Sequence, residues 1–162
     1  VHLFLNEIEQ IQDDKIRDFV VEALDKLPEF YEDLTNFTEE TKKAVEYSKT
    51  LLEVLDADDY ASDVVKSAIL LQDITRYSLE EIDEGFGKTP TQILNEDPLH
   101  PLSARQKLLP LLGIVGAEKF DDILRTIESS HGVNSPIPQV MPTVNDPVYV
   151  WVLPFVNSLA RA

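Results

Sequence analysis

The chain contains no cysteine. Disulfides, thiolate metal sites and cysteine nucleophiles are therefore excluded. No apolar run approaches the length needed to span a bilayer. The opening Val1-His-Leu-Phe-Leu5 is too short for the core of a signal peptide and runs straight into acidic residues. The expectation is a cytoplasmic protein from which a leading Met or tag has been removed. A serine nucleophile elbow is missing, and so is a glycine-rich phosphate loop. Gly85-Phe-Gly87 is an isolated pair, better suited to stopping a helix. Internal repeats and low-complexity tracts are also absent. Basic residues are scarce: 14 Lys and Arg stand against 30 Asp and Glu, a formal net charge of −16. Such a field repels nucleic-acid phosphates and anionic membranes, so neither duplex nucleic acid nor a membrane is an expected partner. It would attract a basic protein or hard cations, although a solvated acidic surface that keeps the protein soluble is the simpler reading.

What remains is an ordinary globular composition, 43% hydrophobic and 27% charged over 162 residues. That length suits one domain with one core. The chain is organised around Lys66-Ser-Ala-Ile-Leu-Leu-Gln-Asp-Ile-Thr-Arg76. Ala68 to Leu71 has no polar side, Val64 and Val65 join it at helical spacing, and Asp56-Ala-Asp-Asp59 supplies a polar helix start. A helix apolar all round is buried. Its far end carries Gln72 and Asp73 inward, and a buried carboxylate must be paired, hydrogen-bonded or on a metal. Arg76, one turn on, is the simplest compensation. A polar site at the centre of a helical domain is the other reading.

The remaining segments read as helices around it. Residues 3–12 form a short one with Leu5, Ile8 and Ile11 on one face. Asp13-Asp14 opens a clearer one with Ile16, Phe19, Val20, Ala23, Leu24 and Leu27 inward, closed by Pro28. After an irregular aromatic passage, Asn36 or Thr38 caps a helix to about Leu55, with Ala44, Val45, Ser48, Leu51, Leu52 and Leu55 inward. Glu40 falls in its first turn, where a carboxylate suits the dipole on a plain surface. Ser78-Leu-Glu-Glu81 reads as a capping box opening a brief helical turn. Residues 87–100 read as a loop containing Thr89-Pro90, with one helical turn at Gln92 to Asn95. A helix follows from His100-Pro101, broken at Pro110, and Gly113 and Gly116 bracket a short connection. Ala117 to Ser130 is helical with Phe120, Ile123, Leu124 and Ile127 inward, and His131-Gly132 ends it. His131 is favoured there by the dipole whatever else it does. Residues 133–147 form a proline-rich ordered loop, a kind that is often functional. Asp146 to Arg161 is a helix broken or bent at Pro154, chosen over a strand because no partner strand offers itself. The class is all-α, a bundle of six to eight helices in one domain, with 1–28 as packing helices and 38–161 as the core.

Several of these segments, taken in order, resemble one family. Ala68-Ile-Leu-Leu-Gln-Asp-Ile-Thr-Arg76 is similar to the core motif of the HD-domain metal-dependent phosphohydrolases, in which an apolar helix ends in His-Asp with a basic residue shortly after. Ile11 to Pro28 resembles the lead-in of the phage-type branch. Glu40-Thr-Lys-Lys-Ala-Val45 resembles the helix holding the family's first metal-binding His. His100-Pro-Leu resembles its His-Pro element, Ile127-Glu-Ser-Ser-His-Gly132 its later Ile-Glu-Ser-His segment, and Val152 to Arg161 its closing helix.

The resemblance implies a helical HD-like core and a metal site at Glu40, Gln72, Asp73, His100, His131 and Asn157. Asp73 and Arg76 would be the residues closest to catalysis. It also exposes departures. Glu40 (or Thr41, shifted by one) stands at the first His, Gln72 at the His of His-Asp, Asn157 at the closing Asp, and Ser130 or His131 at the later His. An amide oxygen is a weak ligand beside an imidazole, and Asn157 removes a charge. The oxygen-rich set that remains implies no tightly bound cofactor, with Mg²⁺ or Mn²⁺ as the ions it would suit.

Three functions follow. A degenerate HD domain would bind a protein partner or a nucleotide-like ligand in the former pocket. An active phosphohydrolase would hold Mg²⁺ or Mn²⁺ through Glu40, Asp73, His100 and His131, with Arg76 on the phosphate. An acidic interaction protein would use its surface and the 133–147 loop to bind a basic partner.

Overall fold

The computed structural model of the chain describes residues 3–81 and 92–162. The readings at Val1, Gly85-Phe-Gly87 and Thr89-Pro90 lie outside those residues. The described chain forms α1 (Leu5–Glu9), α2 (Asp14–Leu24), α3 (Thr35–Val54), α4 (Asp59–Leu71), α5 (His100–Leu108), α6 (Leu112–Val115), α7 (Ala117–Glu128) and α8 (Val148–Arg161). One antiparallel hairpin, β1 (Tyr77–Glu81) with β2 (Gln92–Glu96), follows the turn after α4. The architecture is an all-α bundle carrying this hairpin as an appendage.

Helix α4 is the axis. Asp58 caps it by accepting the Ala61 N–H at 2.8 Å. Val64, Val65, Ala68, Ile69, Leu70 and Leu71 are all buried, as expected of a helix without a polar side. It packs against α2, α3, α7 and α8. Asp63, also buried, was not singled out by its sequence context. Its carboxylate accepts the N–H groups of Gln12 and Asp13 at 3.0 and 2.9 Å, which clamps the α1–α2 turn onto α4. Asp13 caps α2 through the N–H groups of Lys15 and Ile16 and pairs with Lys119 at 2.7 Å.

Several local expectations are corrected. Tyr77–Glu81 is a strand, not a helical turn, and Gln92–Glu96 pairs with it from Tyr77↔Glu96 to Glu81↔Gln92. The chain leaves α4 extended because the Tyr31 hydroxyl accepts the Tyr77 N–H at 2.8 Å, while the Arg76 carbonyl accepts the returning Asp97 N–H. Helix α3 begins at Thr35 with no side-chain cap, and the Thr38 hydroxyl donates back to the Thr35 carbonyl. Leu5 and Leu55 are exposed rather than inward. Gly113 lies inside α6, while Gly116, at φ +87°, supplies the turn into α7.

Helix α8 runs through Pro154 without a break. Proline has no N–H, so the Val150 carbonyl loses its helical donor. The Ser129 hydroxyl lies 3.4 Å from that carbonyl, a long second contact beside its 2.9 Å bond to the Thr126 carbonyl. Gly132 makes the close crossing there possible. It adopts φ +57°, and a Cβ at that position would meet Pro154 Cβ at 3.0 Å. The loop that follows is held by Arg125, which donates to the carbonyls of Val140 and Met141 and forms an ion pair with Asp146.

Candidate functional site

The end of α4 meets the starts and ends of three other helices. Gln72 is the C-cap of α4, His100 opens α5, Ser130 and His131 follow α7, and Asn157 and Arg161 lie on the last turns of α8. Their convergence follows from the apolar run of α4, which drives its polar end into the bundle.

Gln72 and Asn157, 85 positions apart in sequence, bond each other twice. Gln72 Nε2 donates to Asn157 Oδ1 at 3.0 Å, and Asn157 Nδ2 donates to Gln72 Oε1 at 2.7 Å. Both residues are buried. A primary amide carries both donor and acceptor, so two of them close a neutral ring of hydrogen bonds without a cation. A His and an Asp at these positions would instead present lone pairs and a negative charge for a metal to satisfy.

Beside this pair lies the Asp73 cluster. Asp73 is 7% exposed, and burial holds its carboxyl above the usual carboxylate range even though Arg76 and Arg161 pull the other way. Its contact with Arg76 is loose, at 3.6 Å. The Arg76 guanidinium gives its closer bonds to Glu96, at 2.9 and 3.0 Å, and lies over the Tyr77 ring. Compensation of Asp73 by Arg76, the simplest reading of the sequence, is thus only partial. The other way to relieve a buried carboxylate is to keep its proton, and the raised pKa favours that.

His100 Nδ1 lies 3.0 Å from the Gln72 carbonyl oxygen. That oxygen can only accept, so Nδ1 carries the hydrogen and Nε2 is bare in the neutral ring. Nε2 points toward Asp73 Oδ1, 3.9 Å away. Burial pulls the His100 pKa down to about 4, so the ring is neutral at pH 7. His131 meets the His100 ring edge-on, with centroids 5.2 Å apart, and burial lowers its pKa as well.

Glu40 stands apart from this cluster. It is half-exposed and, among the described residues, pairs with Arg161 at 3.7 Å. Its neighbour Thr41 is the buried one, with its hydroxyl donating to the Phe37 carbonyl at 2.8 Å. Among the described residues, no three His, Asp or Glu side chains converge closely enough to hold a metal ion. Of the six positions implied by the resemblance, Gln72, Asp73, His100, His131 and Asn157 gather at this end of α4, while Glu40 lies to one side. The Gln72 and Asn157 oxygens take each other's hydrogens, and Glu40 is turned to Arg161.

An open cavity of about 670 Å³ adjoins the cluster on the α8 side. Asn157 and His131 line it, whereas Gln72, Asp73 and His100 do not. Its other walls come from Ser130, from Trp151, Phe155 and Arg161 on α8, and from Val133 and Pro136 of the proline-rich loop. Arg161 and Trp151 were not singled out in the sequence. The available signal was helical spacing: Arg161 follows Asn157 by one turn, and Phe155 follows Trp151 by one turn. Comparison with protein-family models, curated proteins and solved structures returns no match to this chain.

Proposed function

We propose that this chain is a catalytically silent, HD-like helical domain whose work is binding, at the cavity between α8 and the 133–147 loop. The observation that carries this reading is the reciprocal amide pair of Gln72 and Asn157. In the family that the sequence resembles, those two positions supply ligands to the metal. Here each neutralises the other, and the site needs no ion to be satisfied. Burial raises the Asp73 pKa and keeps the His100 ring neutral, so both groups are shifted away from charge, a poor arrangement for holding a divalent cation. The cavity next to them is open and has aromatic side chains on one wall, which suits ligand capture. Arg125 anchors the proline-rich loop as one wall of that cavity, which supports a pocket-lining role over that of a free arm for a basic partner.

The test is a melting and turnover series on the purified protein. Wild type is expected to show no melt shift with Mg²⁺, Mn²⁺ or Ni²⁺ and no phosphate release from a nucleotide panel in those ions. The Gln72→His, Asn157→Asp double variant is expected to acquire a shift with Mn²⁺ or Ni²⁺, because it reinstates an imidazole and a carboxylate side by side. Metal-dependent turnover by wild type, abolished by Asp73→Ala, would overturn the proposal in favour of an active phosphohydrolase.

A further inference from the structure

We propose that the cavity beside α8 is a site for a small organic anion, a carboxylate or phosphate joined to a compact apolar body. The inference rests on the binding role proposed above and names the ligand's chemistry.

Ser130 is 5% exposed and lines the cavity, yet among the described residues its buried hydroxyl has no hydrogen-bond partner. Buried hydroxyls are nearly always satisfied, so an orphan just beneath a cavity wall is a group that a bound ligand completes after a small rotation of the side chain. Around it the polar lining is unusual for this protein. The chain carries 30 acidic residues, but no carboxylate lies among the described lining residues. The polar groups present are hydroxyls, amides, an imidazole and one guanidinium. Arg161 is the only formal charge among them at pH 7, since burial disfavours the cationic form of His131. Among the described residues Arg161 has one ion pair, to Glu40 at 3.7 Å, which is too long for a hydrogen bond. Its planar fork is suited to carboxylate or phosphate oxygens.

The rest of the lining fixes the other half of the ligand. Trp151 and Phe155 are 41% and 59% exposed on successive turns of α8, and Val133, at 71%, faces the same cavity from the loop. Three large apolar side chains left open around one volume accommodate a flat apolar group, and stacking on aromatic faces rewards it. A bare inorganic anion would leave them uncovered. A neutral apolar molecule would leave Arg161 with its long contact to Glu40 alone and Ser130 unsatisfied. The ends of α7 and α8 both lie nearby, and their dipoles oppose an anion. Arg161 must therefore outweigh them, which makes it the decisive residue.

The experiment uses the intrinsic fluorescence of Trp151, the sole tryptophan of the chain. The 162-residue protein is titrated with phenyl phosphate, phenylacetate, benzyl alcohol and inorganic phosphate, and melting is followed in parallel. Saturable signals are expected from phenyl phosphate or phenylacetate, and whichever binds tighter identifies the head group. Benzyl alcohol and inorganic phosphate should bind at least about tenfold more weakly, since each lacks one half of the ligand. Arg161→Gln should cost about tenfold in affinity, the usual order for a charge-assisted contact. Ser130→Ala should weaken binding several-fold while melting like wild type, because its hydroxyl has no partner to lose. Benzyl alcohol binding as tightly as the anions would overturn the proposal, as would wild-type affinity in both variants or no saturable signal. Release of phenol from phenyl phosphate would count against the catalytically silent reading and would still support an anion in this cavity.

Discussion

At the scale of single residues, the centre of this protein is built from groups that avoid charge. Gln72 and Asn157 bond each other, His100 is neutral, and Asp73 is pushed toward its protonated form. Removing one member of the amide pair strands the other in a buried site. Asn157→Leu should therefore destabilise by about 2 kcal/mol, whereas the Gln72→Leu, Asn157→Leu double variant should cost clearly less than the sum of the two single changes. Chemical denaturation of the four proteins checks this, and additive losses would mean that the two amides act independently. His100 gives a pH dependence of definite sign. Its folded-state pKa of about 4 lies below the ordinary 6.5, so on acidification the unfolded chain takes up the proton first. Stability from this group is complete above 6.5 and is lost as pH falls toward 4, by about 3 kcal/mol. Asp73 acts in the opposite direction, since a raised carboxyl binds its proton more tightly in the folded state. His100→Gln keeps a donor for the Gln72 carbonyl and removes the titration. Denaturation curves across that window should lose about one proton's worth of slope.

At the scale of elements, legibility followed burial pattern. Helix α4 was readable because its last stretch, Ala68 to Leu71, has no polar side, and α2 and α7 because their apolar residues recur at the helical period. The α5–α6 break was readable from Pro110. The hairpin was not, because the spacing of Ser78 and Glu81 imitates a cap. What sets the strand is a bond from Tyr77 to the Tyr31 hydroxyl, 46 residues away. Asp63 was hidden for the same reason: its partners, Gln12 and Asp13, are distant in sequence. The candidate site was legible as a set of positions. Gln72 and Asn157 each read as a weakened ligand, and their pairing could not be read from either residue alone. The proline-rich loop owes its order to Arg125 rather than to its prolines. Arg125→Met removes the bonds to Val140, Met141 and Asp146 together. Limited proteolysis should then cut within 133–147 much faster than in wild type, while helical circular dichroism stays near its original value. Unchanged cleavage would show that the loop is ordered without Arg125.

At the scale of the whole molecule, the acidic excess stands beside a set of basic residues, several of which are tied into ion pairs. Arg105 spans Asp121 and Glu128, Lys119 holds Asp13, and Arg125 holds Asp146. The N-terminal helices are fastened to the core where Asp63 of α4 takes hold of their connecting turn. That clamp has a kinetic consequence. The amide hydrogens of Gln12 and Asp13 belong to no helical ladder, yet deuterium can replace them only when the α1–α2 turn lifts from the central helix. Their exchange rate is therefore a clock for that one undocking event, readable separately from the global unfolding reported by the amides inside α4.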